Sequence, residues 1–535
     1  MTPTGTVTPV YQRGWTLISN LFCSKIPGLY CSPEGRIIPM SAVKKPKQLG
    51  FWSIYLLGIN GVIGSGAFLL PQTIYQDMDL MSVIVLVAAA ITVSLIALCY
   101  ADLASRFSGA GAAWLYSYHA FGPFIGYELG IFVWFLGCCT VAAETVALFT
   151  TLRAFIPVFN NTPIRIWSCI GLVVIFGIIN IFGRTLVKWV DNISSGAKLG
   201  VIILFIVVAV FFIHAANFHP VMPAAAGKSI GAFSSHFGNA FSVVFYMFTG
   251  FSFIPIAASQ MVDPEKNIPR VLIGVMITVT ILYGLMMLFA IGVLGATMAN
   301  YSLPIAAAFR KAVGTWGYVI VIIGMLMSIF GVGFSTSFNT PALMASLSNE
   351  HAMLPKVFGK MNRFDAPWVS VIITTIVSCF LVTQSYLFLV GMIVFASFVQ
   401  YVPSILAVMK FKHGKKFPNH GFKLGGGYTI PIIALIIAFY MVFQFTLKTI
   451  ILGACVAGAA AILFVFLDDR KMIERFSLEE AKRDVEVKKE AQLERKVERI
   501  EKQETALQAK IAGRSEDKNS QSGSSSQTPA AKASD

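Results

Sequence analysis

Charged residues are scarce in this chain. Only 13% of its 535 residues are Asp, Glu, Lys or Arg, whereas 56% are hydrophobic, and the mean hydropathy is +0.72. So apolar a composition excludes a soluble protein of several domains. Acidic residues are the scarcer kind, 26 against 41 basic ones, which leaves a net charge of +15. This excess falls largely in loops between apolar segments, where anionic lipid headgroups attract it, and it does not indicate a nucleic-acid partner.

Cysteine patterns and catalytic constellations are also missing. The eight cysteines lie mostly inside apolar runs, and none forms a Cys-x-x-Cys or Cys/His pair with the spacing of metal ligands. No segment assembles a Ser/His/Asp or Cys/His arrangement, so neither an enzyme nor a cofactor or metal site is predicted.

Residues 1–50 contain basic residues but no apolar run followed by a cleavage site. They are expected to form a retained cytoplasmic arm.

Long apolar runs dominate what is present. A helix needs about 20 apolar residues to cross the hydrocarbon core, and twelve segments of roughly that length can be distinguished. Basic residues concentrate in the loops on the side of the N-terminus, which predicts a multi-pass protein of the cytoplasmic membrane with both termini inside. The predicted segments are 51–75, 80–105, 123–151, 163–183, 190–213, 233–259, 269–296, 315–347, 368–384, 386–410, 428–447 and 449–467.

The first apolar segment contains a helix-breaking sequence. Gly64, Ser65 and Gly66 lie in its middle, and Pro71 follows shortly after. Glycine holds helical geometry poorly, so peptide N–H and C=O groups near these residues are expected to leave the helical ladder. Such groups are tolerated at membrane depth only inside protein or beside a water-filled cavity. Close helix packing is the alternative explanation for the small residues.

A second interruption falls five segments later. Thr249, Gly250, Ser252 and Pro255 break the apolar run of the sixth segment. Two interrupted helices at matching positions of two halves indicate an inverted-repeat transporter with its substrate between the halves. We therefore predict an all-α membrane protein with a 5+5 inverted repeat and broken helices 1 and 6. The repeats are residues 51–213 and 231–411, and residues 428–467 form two additional spans.

The C-terminal region changes character at Asp468. Residues 468–535 begin as a Glu/Lys/Arg-rich helical stretch and end in Ser, Gln, Gly and Ala, which predicts a cytoplasmic tail. A short apolar stripe on this helix leaves two alternatives open, a solvated charged helix and self-association through the tail. The stripe consists of Leu493, Val497, Ile500, Leu507 and Ile511.

Four motifs in residues 50–410 carry a family resemblance. They follow one another in the expected order, and the chain resembles the amino acid, polyamine and organocation (APC) superfamily of transporters. This resemblance implies a leucine-transporter-type fold that moves an amino acid or related amine by alternating access. The motifs are Gly64-Ser-Gly-Ala-Phe68, Tyr100-Ala-Asp-Leu-Ala104 with Ser108-Gly-Ala-Gly-Ala-Ala-Trp-Leu-Tyr116, Asp263-Pro-Glu-Lys-Asn-Ile-Pro-Arg270, and Leu354-Pro-Lys-Val-Phe358 with Asn362 and Pro367.

The two interruptions supply the predicted substrate site. N–H groups after Gly66 would face a substrate carboxylate, and released carbonyls would face its ammonium group. The resemblance adds Tyr246 as an aromatic cover, with a packing role as the alternative. The full predicted set is Val62, Ile63, Gly64, Ser65, Gly66, Phe245, Tyr246, Thr249 and Gly250.

Two ionisable residues inside spans are further candidates. Lys198 lies within the fifth segment, at a register that resembles proton-coupled family members, and it is predicted to couple a proton to transport. The alternative is a lysine that snorkels to the cytoplasmic interface. Glu144 in the third segment is a candidate pathway carboxylate. The alternative is a structural carboxylate that pairs with a neighbouring hydroxyl or with Arg153 near the outer face.

The resulting functional prediction is a secondary amino-acid transporter, proton-coupled through Lys198. An amino acid/amine exchanger is the second hypothesis, and a transporter-like nutrient sensor is the third. Ser252 stands where relatives often have an acidic residue, which argues against a gate copied from antiporters of cationic substrates. Asp and Glu are scarce among the proposed site residues, which favours a small neutral or aromatic amino acid over a dication as the substrate. The expected partners are this substrate, a proton and membrane lipid.

Overall fold

The computed structural model describes residues 29–31, 37–39, 50–107, 112–182, 185–260, 263–349, 353–412, 417, 419 and 421–466. The tail 468–535 and most of the arm 1–50 lie outside this part. A small antiparallel hairpin, Leu29–Cys31 with Ile37–Pro39, is an element of the arm that the sequence did not predict. From Gly50 onward, the described residues form helices, turns and loops.

Helices account for most of the described chain. Their bounds are α1 Phe51–Val62, α2 Gly66–Leu69, α3 Pro71–Met78, α4 Ser82–Ala104, α5 Ala112–Phe121, α6 Pro123–Leu152, α7 Thr162–Ile181, α8 Thr185–Ala209, α9 Ile230–Met247, α10 Pro264–Leu294, α11 Pro304–Val313, α12 Thr315–Asn349, α13 Trp368–Leu381, α14 Tyr386–Phe411, α15 Thr429–Val442 and α16 Leu447–Val465. A long 3₁₀ helix, Thr249–Gln260, follows α9.

Many of these helices suit a membrane. Nine stretches within the described ranges are long and apolar enough to cross one, and α1, α13 and α15 are shorter apolar helices. Large apolar side chains point outward, among them Phe211, Trp316 and Phe466, each at least 80% exposed. Such a surface would be unstable in water and fits contact with lipid. The protein is therefore a multi-pass helical membrane protein.

Helix α6 forms the centre of the bundle. The apolar part of α6 is 89% buried, compared with 22% for the corresponding parts of α8 and α16. Helix α12 packs against both α6 and α8. A Cβ atom on Gly137 would come within 2.2 Å of Thr340 Oγ1, and one on Gly331 within 2.0 Å of Ser194 Oγ. Glycine therefore allows the close helix crossings that membrane bundles use in place of hydrophobic collapse.

Two features of the described chain were not predicted. Helix α5 precedes α6 and is separated from it by Gly122, whose φ of +95° is favourable only for glycine, so the chain turns sharply before Pro123 starts α6. Helix α11 is amphipathic and joins α10 to α12. Both helices have ten residues, about half of what a membrane span needs.

The end of α4 is anchored to a distant loop. Asp102 pairs with Arg106 at 2.7 Å, and the second Asp102 oxygen accepts the Leu424 N–H at 2.9 Å. Arg106 also donates to the carbonyls of Phe411 and Phe417. Asp102 and Arg106 together therefore hold the segment after α14 against α4.

Candidate functional site

The first predicted interruption is present at Ile63–Ser65. Helix α1 ends when the Ile63 N–H donates to the Ile59 carbonyl at 3.0 Å, and Ile63 itself is extended, with ψ of 97°. Helical geometry resumes at Gly66 and again at Pro71, which occupies the first position of α3. Main-chain groups midway through an apolar segment are thus released from helical hydrogen bonding. They are enclosed in protein, because Ile63 and Ser65 are fully buried.

The second interruption follows Met247, where α9 gives way to a 3₁₀ helix. The Thr249 side chain donates to the Tyr246 carbonyl at 2.9 Å, which is the acceptor that the Gly250 N–H would use in a continuing α-helix. Pro255 has no N–H and interrupts the ladder further. A side-chain hydroxyl and a proline thus account for the change of helix type.

The two interruptions meet. A Cβ atom on Gly250 would lie 2.0 Å from the Gly61 carbonyl oxygen, so the two backbones approach as closely as glycine permits. The Tyr283 hydroxyl lies 3.2 Å from the Val62 carbonyl and 3.3 Å from the Met247 carbonyl. One hydroxyl from α10 therefore lies within hydrogen-bonding distance of the last carbonyl of α1 and the last carbonyl of α9.

Glu144 from α6 lies against the first interruption. Its Oε1 and Oε2 atoms accept the Ser65 N–H at 3.2 and 3.3 Å, and Oε1 also accepts the Ser65 hydroxyl at 3.0 Å. The Tyr246 hydroxyl adds a further hydrogen bond at 3.3 Å. A Cβ atom on Gly64 would lie 2.7 Å from Oε1, so glycine leaves the space that the carboxylate occupies. The sequence left open a structural pairing of Glu144 with a neighbouring hydroxyl or with Arg153. The described contacts of Glu144 include the hydroxyls of Ser65 and Tyr246 and do not include Arg153.

Lys198 from α8 lies on the other side of the same interruption. Its Nζ atom donates to the carbonyls of Ile63 at 2.8 Å and Asn60 at 3.2 Å, and the side chain is completely buried. Snorkelling to the cytoplasmic interface is therefore excluded for this conformation. Its positive charge faces the carbonyl end of α1, where the helix dipole favours a cation, and it acts electrostatically on Glu144.

Two tyrosines cover the interruption. The Tyr246 ring stands over Gly66, whose added Cβ atom would lie 3.0 Å from Tyr246 Cε1. The Tyr386 hydroxyl lies 2.9 Å from Ser65 Oγ, and the two tyrosine rings are 6.5 Å apart in an edge-to-face arrangement. Tyr386 and Tyr283 were not predicted, because neither lies in a motif or near an interruption in the sequence.

The predicted carbonyl acceptors have side-chain or main-chain partners in this conformation. Tyr283 donates to Val62, Lys198 to Ile63, and Tyr401 to Thr249 at 3.2 Å. The Phe245 carbonyl accepts the Phe248 N–H at 3.1 Å. The Phe245 ring is buried, 4.8 Å from the Phe398 ring. The structure thus brings the predicted residues of both interruptions together around Ser65, Glu144 and Lys198.

This combination of fold and site defines a class of protein. A helical membrane bundle with interrupted helices in contact at its centre, lined by a buried acid and a buried amine, has the construction of a small-solute transporter. The sequence model of the amino acid permease family matches residues 49–465. The chain belongs to this family, within the APC superfamily, and the protein is a membrane transporter and not an enzyme.

Individual relatives are similar to this chain over most of their own length. The chain is 27% identical over 436 residues to an uncharacterized transporter of Mycobacterium tuberculosis, covering 76% of this chain and 89% of the relative. It is 25% identical over 426 residues to a branched-chain amino acid permease of Bacillus subtilis, covering 76% and 89%. It is 23% identical over 442 residues to an arginine/ornithine antiporter of Pseudomonas aeruginosa, covering 78% and 90%.

Proposed function

We propose that the protein is a secondary active transporter that moves an amino acid across the cytoplasmic membrane by alternating access. The observation that carries this proposal is the direct contact of the two interruptions, Gly250 on Gly61, beside Lys198 and Glu144. Interrupted helices that meet at the bundle centre can bind a solute with main-chain groups and release it when the two halves move.

The proposed topology has twelve spans. Helices α1 to α3 together make the first, the 3₁₀ helix extends the sixth, and α13 and α15 are short spans. Residues 51–213 and 231–411 then form two repeats of opposite orientation, and residues 428–467 are additional. The basic loops favour an N-terminus and a tail in the cytoplasm.

The substrate carboxylate is proposed to bind at Ser65 and Gly66. The contact of Glu144 supports this role, because its carboxylate accepts the Ser65 N–H and hydroxyl, the donors that a substrate carboxylate would use. Glu144 would have to move from Ser65 when the substrate binds. The carbonyls of Ile63, Tyr246 and Thr249 would then bind the ammonium group once the surrounding side chains move. Tyr246 would cover the bound solute.

Proton coupling is proposed to run through Lys198. A buried lysine that donates to two carbonyls at a helix interruption is held there most strongly while it is charged, and loss of its proton would weaken its hydrogen bonds to the Ile63 and Asn60 carbonyls. Glu144 is a second proton acceptor at the same interruption. Exchange is the second candidate function, and the chain resembles an arginine/ornithine antiporter, whose name indicates exchange of one amino acid for another. Exchange of an amino acid for an amine is the other form of this candidate.

Transport by purified protein in liposomes tests the proposal. Labelled L-leucine and L-arginine are offered under an inward proton gradient, and separately against unlabelled amino acid or the corresponding amine inside. Accumulation driven by the proton gradient supports coupling, whereas uptake only against an internal substrate supports exchange. Binding by thermal shift without any flux of either amino acid would contradict transport.

Gly66→Leu is expected to eliminate substrate binding and transport without preventing membrane insertion. Even a Cβ atom at this position lies 3.0 Å from Tyr246 Cε1 and 3.2 Å from Met247 Cγ, so the larger side chain must fill the space above the interruption. Thermal shift with L-leucine and L-arginine measures binding, and liposome uptake measures transport.

Gly171→Leu is the matched control, because Gly171 in α7 is exposed and an added Cβ atom meets nothing within 4 Å. It should bind and transport as the unmodified protein does. Normal binding by Gly66→Leu would remove this residue from the substrate site.

A further inference from the structure

A cavity of about 290 Å³ opens next to the candidate site, between the end of α6, the start of α7 and the start of α14. Arg153 and Arg165 both line it, together with hydroxyl and amide groups such as those of Thr150 and Gln384. No acidic residue lines it within the described part of the chain. Its volume is near the lower end of the range of about 300–1,000 Å³ found for sites of small ligands.

The two guanidinium groups are available to a ligand. Neither Arg153 nor Arg165 makes a side-chain hydrogen bond or an ion pair with any described residue, and both side chains are half-buried. Two cationic groups around one small cavity repel each other and attract an anion, and arginine binds carboxylates in a bidentate geometry. The N-terminal end of α7, a 20-residue helix, also faces this region and favours negative charge.

The cavity connects to the candidate site through one side chain. Tyr386 lines the cavity, and its hydroxyl lies 2.9 Å from Ser65 Oγ, which in turn donates to Glu144 at 3.0 Å. A rotation of Tyr386 would therefore join the arginine-lined space to the proposed carboxylate-binding atoms of Ser65. In the proposed topology the end of α6 lies at the outer membrane face, so the cavity lies where an incoming solute arrives.

We propose that this cavity is an entry site that binds the free carboxylate of the incoming substrate to Arg153 and Arg165 before Tyr386 admits it to the interruption. The inference rests on the proposed function and specifies its substrate class. Amino acids with a free α-carboxylate would bind there, whereas their decarboxylated amines would not, since an amine would be repelled by both arginines.

Uptake kinetics of two variants test the entry site. Arg153→Gln and Arg165→Gln are each expected to raise the KM for uptake of labelled L-leucine or L-arginine by intact cells about tenfold, equivalent to about 1.4 kcal/mol. Vmax should be retained, because the interruption itself is unchanged. Arg310→Gln is the matched control, since it removes an exposed arginine on the same face that contacts Tyr318 and not this cavity.

Chemical labelling tests the cavity independently of transport. A cysteine introduced by Thr383→Cys, at an exposed position on the cavity wall, should react faster with an anionic methanethiosulfonate than with a cationic one. Adding Arg153→Gln or Arg165→Gln should lower this ratio several-fold, whereas adding Arg310→Gln should not. Modification of the peptide containing residue 383 is quantified by mass spectrometry.

The outcomes separate the inference from the proposed function. If the protein transports either amino acid and all three arginine variants have the same KM as the unmodified protein, the entry-site inference is wrong and the transport proposal stands. If the protein transports neither amino acid, the proposed function fails and the entry site with it. Retention of anionic phosphatidylglycerol that depends on Arg153 and Arg165, with KM unchanged, would identify a lipid headgroup as the occupant and overturn the inference.

Discussion

Gly250→Ala is expected to abolish transport and to reduce the yield of folded protein strongly. The added Cβ atom would lie 2.0 Å from the Gly61 carbonyl oxygen and 2.6 Å from its carbonyl carbon, and neither main-chain atom can rotate away. The two interruptions must therefore separate. Overpacking of a core typically costs about 1–3 kcal/mol, and a clash with backbone falls at or above the upper end of that range.

The separation would also disturb the hydrogen bonds that depend on this contact. Tyr283 reaches both the Val62 and the Met247 carbonyls only while the two segments lie together. A buried carbonyl that loses its partner costs about 1–3 kcal/mol. Thermal unfolding in detergent and the monodisperse fraction after gel filtration measure the effect on folding, and liposome uptake measures the effect on transport.

Gly61→Ala provides a control at the same contact. Its Cβ atom would lie 3.8 Å from the Gly250 carbonyl oxygen, an ordinary contact distance, although both glycines belong to one crossing. The alanine also suits the interior of α1 better than glycine does, by about 1 kcal/mol. We therefore expect Gly61→Ala to fold and transport. Equal behaviour of the two variants would contradict the close approach of the interruptions.

The first interruption could be predicted because its cause is local. Gly64, Ser65 and Gly66 lie in succession within an apolar segment, and no tertiary contact is needed to see that a helix is weakened there. Lys198 was equally visible, since a charge deep inside an apolar run is costly wherever it points. Its actual partners, the carbonyls of Asn60 and Ile63, follow from the same interruption.

The residues that complete the site could not be predicted, because they are brought there by packing between distant segments. Tyr386 is separated from Ser65 by 321 positions and Tyr283 from Val62 by 221. Each is one aromatic residue among many, since Phe, Trp and Tyr make up 13% of the chain. The positions of their hydroxyl groups depend on how α10 and α14 pack, and this information is absent from any local pattern.

Helix ends were also only partly predictable. The predicted segment 190–213 corresponds to a helix that starts five residues earlier, at Thr185, and ends as an α-helix at Ala209. A 3₁₀ turn, Val210–Phe212, follows it. In the sixth segment the sequence indicated a break but not its form. The Thr249 hydroxyl stabilises a 3₁₀ helix over twelve residues by occupying the Tyr246 carbonyl.

Lys198→Ala is expected to abolish accumulation driven by a proton gradient while exchange of substrate continues. Without the ammonium group, no proton at this position can be gained or lost during the transport cycle, so substrate should equilibrate across the membrane and not accumulate. The carbonyls of Ile63 and Asn60 also lose a buried donor, which should lower the free energy of unfolding by about 1–3 kcal/mol. Uptake under an inward proton gradient and counterflow without a gradient measure the two activities separately.

Two further variants distinguish coupling from structural damage. Lys198→Met keeps most of the side-chain volume without the charge, so it should fold better than Lys198→Ala and still fail to accumulate substrate. Lys311→Ala removes a lysine with the same kind of contact, an Nζ atom 2.8 Å from the Val293 carbonyl near the end of α10, but away from the interruptions. It should lose some stability and keep proton-driven accumulation.

The comparison of accumulation with exchange decides the role of Lys198. A lysine that only fills space at the end of α1 would affect both activities together, in proportion to the folded fraction. A lysine that carries the coupled proton affects accumulation alone, because exchange returns the protein through its substrate-bound forms and needs no net proton movement. Unchanged accumulation by Lys198→Met would exclude this residue from coupling and leave Glu144, which accepts the Ser65 N–H at the same interruption, as the group to test by Glu144→Gln.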